Sequence, residues 1–311
     1  MKLWNKEEIA ELYNLPFLDL MYRAQSIHRE NFTANEIELA KILSVKTGGC
    51  PENCSYCPQS AHHKTKLKKE SLSLEQVQVA AKEAKLSGIK RFCIGAAWRS
   101  LHKRDLPEII EMIKAIKDEG LEACATLGLV TLAQAEELKE SGLDYYNHNL
   151  DTSPEFYPNI ITTRTYQDRL DTIKYVNEAG LQTCCGGIIG MGESREDRIG
   201  LLSNIASLSP QPRSVPINRL IAFEGTPLEN MKPIDDIEFV RTIAVARIIL
   251  PKSVVRLSAG RGELSESTQI LCFLAGANSI WLDKKLLTAD NRDVNLDQEM
   301  LSKLGLHAST V

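Results

Sequence analysis

The chain is 311 residues long, 43% hydrophobic and 25% charged, with a formal net charge of −4, which describes a globular protein with a sizeable core and excludes a disordered or low-complexity chain. The net negative charge gives no general attraction to nucleic acid or to an anionic membrane surface. The opening MKLWNKEEIAEL puts charges where a secretory leader needs an apolar core, and the most apolar later stretch, TIAVARIIL, is broken by Arg247, so a cytoplasmic protein with no membrane or nucleic-acid partner is expected.

An amphipathic, helix-forming region runs to about Phe32. After it the sequence repeats one pattern, a short β-branched or apolar run, a turn, and a helix-length amphipathic segment. Strands are predicted at ILSVKTG (42–48), RFCIGAAW (91–98), LEACATL (121–127), LDYYNHNL (143–150), QTCCGGIIG (182–190), SVPINRLIA (214–222), SVVRLSA (253–259) and NSIWL (278–282). The intervening helices show their ends. SLSLEQVQVAAKEAKLSG opens with Ser73 three residues before Gln76, as a capping box does, and closes at Gly88. Later helices close at Gly120, Gly142, Gly180 and Gly276, the residue that most easily follows a last turn. Eight strands with helical crossovers predict a closed α/β barrel of the (β/α)8, TIM type rather than an open doubly wound sheet. We expect one domain over 1–311, comprising a helical extension (1–35), the barrel (36–290) and a C-terminal tail (291–311).

In such a barrel chemistry collects at the C-terminal ends of the strands. The loop after strand one reads GGCPENCSYCPQS, with Cys50, Cys54 and Cys57 inside eight residues. In a reducing compartment such a cluster points to metal binding or catalysis rather than to disulfides. Three thiolates at these spacings can face a common centre. The centre is either a [4Fe–4S] cluster with one iron left open or a closed zinc loop with His62 or His63 as fourth ligand. The basic run HHKTKLKK (62–69) reads as a solvated loop face.

The CxxxCxxC loop, with Tyr56 before its last cysteine, resembles the radical S-adenosylmethionine superfamily, and GGIIGMGE (186–193), which includes Ile188, resembles the glycine-rich strand end that superfamily sets beside the adenine. KTGGCPENCSYCPQS, RFCIGAAW, LEACATLG, GLDYYNHNLDTSPEFY, NIITTRTYQDRLDT, SVPIN, GTPL, RTIAVARI, VVRLSAGR and GANSI together resemble the biotin synthase family, in order and over nearly the whole chain. The segment WLDKKLLTADN departs from that family's pattern at strand eight, with Asp283 near an expected glycine.

Cys93, Cys124 and Cys184 fall in strands two, three and five and Arg256 in strand seven. Strand side chains alternate, so residues of different strands can converge inside a barrel. A free cysteine is also a common small core residue, whereas a buried arginine needs anionic company. The resemblance implies that these four hold a second, [2Fe–2S] cluster below the first, with substrate between the two. It selects Cys184 over Cys185, which is expected to face the helices; Cys272 reads as core. Asn147, Asn149 and Asp151 recur at every second position, a pattern that also suits turn capping at a strand end. By resemblance, Asn149 and Asp151 contact the S-adenosylmethionine ribose, Arg169 its methionine carboxylate, and Asn147 and Asn218 the ureido ring of dethiobiotin. His148 faces away from this triplet and is given no role. The resemblance further implies radical sulfur insertion that converts dethiobiotin to biotin, flavodoxin or ferredoxin as electron donor, and a homodimer. A sister radical enzyme would keep Cys50, Cys54 and Cys57 without needing the deeper four.

Overall fold

A computed structural model describes Lys2 and residues 4–309. The N-terminal region forms α1 (Lys6–Asn14), opened by a capping box between Asn5 and Glu8, and α2 (Phe17–Asn31). The chain then alternates as β1 (Glu36–Thr47), β2 (Glu70–Ser71), α3 (Leu74–Leu86), β3 (Arg91–Ala96), α4 (Leu106–Asp118), β4 (Glu122–Thr126), α5 (Leu132–Glu140), β5 (Tyr145–Asn147) and α6 (Tyr166–Glu178). It continues with β6 (Gln182–Cys184), β7 (Gly187–Ile189), α7 (Arg195–Ser207), β8 (Ser214–Arg219), α8 (Asp236–Ile249), β9 (Val254–Leu257), α9 (Glu266–Leu274), β10 (Ser279–Trp281), α10 (Val294–Lys303) and β11 (His307–Ala308). The Ser73–Gln76 capping box is present at the start of α3.

Parallel pairings run β1–β3–β4–β5–β6–β8–β9–β10, and β10 returns to β1, closing the eight-position barrel expected. The fifth position is split. β7 pairs with β8 beyond the end of β6, and the break falls at Gly186, where a Cβ would lie 1.9 Å from the Pro216 carbonyl oxygen; only glycine lets the two backbones approach so closely. β1 begins six residues before the predicted start, at Glu36 rather than 42. Its first residues pair with β11, so the C-terminal segment adds a short strand beside the barrel.

Residue parity sorts the core into two. Phe92, Ile94, Ala123, Ala125, Val215, Ile217, Val255 and Leu257 point outward into the large cluster packed against the helices. Ala40, Ile42, Cys93, Cys124, Tyr145 and Trp281 point inward and form a separate lumen cluster. Each fully buried aliphatic of the outer layer is worth roughly 1.5–3 kcal/mol, so the helices hold the strands in register while the lumen is free to carry polar and reactive groups. Arg247, which interrupts the apolar run of α8, is fully buried and donates to the carbonyls of Gly276, Pro251 and Ser253 and to Asn278 Oδ1, between 2.8 and 3.1 Å. Among the described residues no helix is long and apolar enough to cross a membrane.

Candidate functional site

The loop after β1 is turned by Gly48 (φ 74°) and Gly49 (φ 69°), both in the left-handed region, where a side chain would add strain. It is then pinned across the barrel mouth. Asn53 Nδ2 donates to Thr162 Oγ1 at 2.6 Å, Ser55 donates twice to the Ile160 carbonyl, and Ser60 Oγ donates to the Glu52 carbonyl. Cys54 is buried, and Arg164 Nη2 donates to its sulfur at 3.7 Å. Burial pushes all three thiols up, with Cys57 raised to about 12, helped there by Cys54 and Cys50 nearby. His62 Nε2 lies 3.0 Å from the Pro51 oxygen and His63 Nε2 2.9 Å from the Cys54 oxygen. Both histidines are thus turned through Nε2 to backbone carbonyls of the loop itself.

Deeper in the lumen, Cys93 and Cys124 stand opposite one another on β3 and β4, and both are 1% exposed. Burial raises the Cys184 thiol, while Arg256 and Arg91 oppose the rise, which places both guanidiniums beside it. At Cys93 burial again pushes the thiol up, but the neighbouring Cys124 thiol and the same two arginines outweigh it and hold the thiol below the usual range. The three thiols and Arg256 therefore face one interior. Cys185, on the opposite parity, packs in the outer core, as does Cys272.

A cavity of about 230 Å³ opens beside the thiol loop, lined among others by Tyr56, Cys57, Asn147, Asn149, Asp151, Ile188 and Asn218, with Pro216 and with Ile42 and Trp281, which pack with Cys93 and Cys124 in the lumen cluster, also in its wall. Asn147 Nδ2 donates to Thr126 Oγ1 at 3.0 Å, which fixes the amide. Asn218 donates to the Gly187 carbonyl and accepts from Ala259 N, so each asparagine keeps capacity for a further donor or acceptor. Asn149 Oδ1 accepts from Gly186 N at 3.0 Å. Asp151 sits at φ 67°, and its carboxylate accepts from the Tyr56 hydroxyl at 2.5 Å and from Arg169. Arg169 is 3% exposed and also donates to Tyr157 Oη at 2.8 Å and to the Asn149 carbonyl at 2.5 Å. Arg169, Cys50 and Cys54 stand outside the cavity wall, as do Cys93, Cys124, Cys184 and Arg256. His148 is buried on the other parity beside Tyr146.

Sequence reasoning missed four charged residues here. Glu52 is 2% exposed, accepts from Thr163 and pairs with Arg99 at 3.3 Å and Arg164 at 3.9 Å, so it anchors the cysteine loop. Glu38 and Arg91 lie in the lumen, where Glu38 binds both Arg91 and Arg256. Arg164 and Glu52 sat in motifs already singled out, TTRTYQDR and CPENC; Glu38 had a parity signal, hidden by the late start assigned to β1. The residues present fit two anionic inorganic groups. Arg164 brings positive charge to the upper thiols, and Arg91 Nη1 is a buried donor with no partner among the described residues, beside the lower ones.

Residues 44–205 match the radical SAM superfamily and residues 216–307 the Biotin and Thiamin Synthesis associated domain. The chain is 58% identical over 306 residues to the biotin synthase of Bordetella petrii and 57% identical over 305 residues to that of Janthinobacterium sp., in each case covering 98% of this chain and 90% of the relative. Among solved structures, methylornithine synthase (PylB) superposes with a TM-score of 0.85 at 20% identity, covering 100% of this chain and 95% of that one. The hydrogenase maturase HydG from Carboxydothermus hydrogenoformans gives 0.85 at 21% identity, covering 99% and 76%. At those identities the two structures speak to the barrel fold alone.

Proposed function

The chain belongs to the biotin synthase family of radical S-adenosylmethionine enzymes, and on that premise we propose how its residues divide the work. The activity is sulfur insertion converting dethiobiotin to biotin, with a [4Fe–4S] cluster, a [2Fe–2S] cluster and S-adenosylmethionine as cofactors. When bound, these groups supply radical generation and the inserted sulfur. We assign Cys50, Cys54 and Cys57 to the [4Fe–4S] cluster and Cys93, Cys124, Cys184 and Arg256 to the [2Fe–2S] cluster.

The protein's own contribution is alignment. Tyr56, Asn149, Asp151 and Ile188 shape the S-adenosylmethionine side of the cavity, with Arg169 behind Asp151. Asn147 and Asn218 offer amide groups to the urea of dethiobiotin, which both donates and accepts. Placing the substrate between the two clusters brings its reacting carbons near both, where proximity matters most. The largely apolar wall of Ile42, Pro216 and Trp281 excludes water and stray hydrogen donors. The observation that supports this reading is the cavity, whose wall combines Cys57 of the thiol loop, the amides of Asn147 and Asn218, and Ile42 and Trp281, which pack with Cys93 and Cys124. The same reading takes residues 1–311 as one domain, a homodimer in the cytoplasm, and flavodoxin or ferredoxin as electron donor.

The test is an anaerobic single turnover with dethiobiotin, S-adenosylmethionine and reductant. Biotin formation by the wild type, with Cys93→Ala forming none while still cleaving part of the S-adenosylmethionine, is the expected result. Full biotin yield from Cys93→Ala would remove the deep site from the reaction.

A further inference from the structure

The lumen holds a charge arrangement that the assignment of ligands leaves unexplained. Glu38 shares the inward parity of Ala40 and Ile42 and is 7% exposed. Its Oε1 accepts from Arg256 Nη2 at 2.6 Å and from Ser279 Oγ at 3.2 Å, and its Oε2 accepts from Arg91 Nη2 at 2.9 Å. Strand register produces this meeting, because Glu38 of β1 stands opposite Ser279 of β10, and Ser279 opposite Arg256 of β9. Arg256 Nε donates to Ser279 Oγ at 2.8 Å, and its guanidinium lies over the Trp281 ring at 4.1 Å. One edge and one face of the planar fork are thereby fixed. Its Nη1 makes no hydrogen bond among the described residues.

A neutral acceptor would suffice to orient Arg256 alone. Two buried guanidiniums at one level need an anion, since each uncompensated buried charge costs several kcal/mol. One carboxylate with two oxygens serves both, with Glu122 reaching Arg91 at 3.2 Å from the partly exposed rim.

We propose that Glu38 is a positioning residue for Arg256: it ties down the Nε/Nη2 edge through Ser279 and its own carboxylate, leaves Nη1 for the second cluster, and sets a fixed negative charge beside that cluster. The inference rests on Cys93, Cys124, Cys184 and Arg256 holding the [2Fe–2S] cluster. Removing the partner that orients a metal ligand ordinarily weakens the site by about 10–100-fold. Removing a nearby negative charge also favours the reduced, more negative cluster, so its potential should move positive.

The test compares wild type with Glu38→Gln, which keeps size and one acceptor oxygen but removes the charge. Three properties of the [2Fe–2S] cluster are read: the visible spectrum, the midpoint potential, and the rate of iron loss to a chelator. The expected result is an altered spectrum, a positive shift in potential and iron loss faster by about tenfold or more. Values equal to wild type would overturn the proposal. Glu38→Gln combined with Arg91→Gln removes one buried cation together with the anion. Should the single variant not fold, the double variant is read by its spectrum and its rate of iron loss, because the two charge changes oppose one another in the potential, and wild-type values of both overturn the proposal equally. If the wild type assembles no second cluster, the ligand assignment fails; if it does and Glu38→Gln leaves it unchanged, only the role of Glu38 fails.

Discussion

Asp151→Asn isolates the network that binds the upper site to the barrel wall. The Asp151 and Arg169 side chains are each 4% exposed, and the carboxylate also accepts from Tyr56 at 2.5 Å. Asparagine keeps the shape and one acceptor oxygen but leaves the guanidinium without its anion. Breaking one side of a buried pair costs roughly 3–5 kcal/mol. Arg169 retains the Asn149 carbonyl and the Tyr157 hydroxyl, which puts the cost at the lower end, about 3 kcal/mol. A chain of this size shifts its Tm by about 2 °C per kcal/mol, giving a drop of about 6 °C. The assay is calorimetry on cluster-free protein, run with Arg169→Gln and the double variant. Neighbouring partners couple by about 0.5–3 kcal/mol, so the double variant should lose less than the sum of the two singles. A Tm within about 1 °C of wild type for Asp151→Asn, or strict additivity, would refute the reasoning.

Cys184→Ala should lose the iron and the visible bands of the second cluster, whereas Cys185→Ala should keep both, because strand parity sends only the first into the lumen; equal losses from the two would contradict the geometry. His28 is 6% exposed and stacked on Phe32, and burial, with Arg247 and Arg29 nearby, lowers its pKa from 6.5 to about 4. A neutral buried histidine stabilises fully above its unfolded pKa and loses that contribution as pH falls towards the folded one. Urea denaturation should therefore show a loss of about 2 kcal/mol between pH 6.5 and 5 from this residue, and His28→Gln should flatten that slope; an unchanged slope would exclude it as the source. Asp297 is fully buried, bonded to Arg261 and held 3.4 Å from Arg292, so Asp297→Ala should destabilise the protein by about 3–5 kcal/mol, and a thermal shift near zero would show that α10 is dispensable to the fold.

The barrel was readable because each strand carries a β-branched or apolar run and each helix a cap or closing glycine, signals that local chemistry enforces. Parity says only that one of Cys184 and Cys185 faces inward; the family resemblance picked Cys184, and the fold puts Cys185 in the outer core. What escaped was long-range pairing. The stretch EIELAK reads as too charged for a buried strand, yet Glu38 is inside because arginines from β3 and β9 await it, 53 and 218 residues away in sequence. β2 and β11, of two residues each, have no periodicity to detect. The split of the fifth strand follows from a backbone contact at Gly186 that only the folded sheet creates. At the site, the residues with a motif were found, and those that brace them, Glu52, Arg164, Arg91 and Glu38, were not, because bracing is a property of proximity in space.

The most direct measurement is anomalous diffraction at the iron edge from crystals grown anaerobically with reconstituted protein. The account predicts two iron centres, one against Cys50, Cys54 and Cys57 at the barrel mouth and one inside the lumen among Cys93, Cys124, Cys184 and Arg256. A single centre, or a second one outside the barrel, would contradict it.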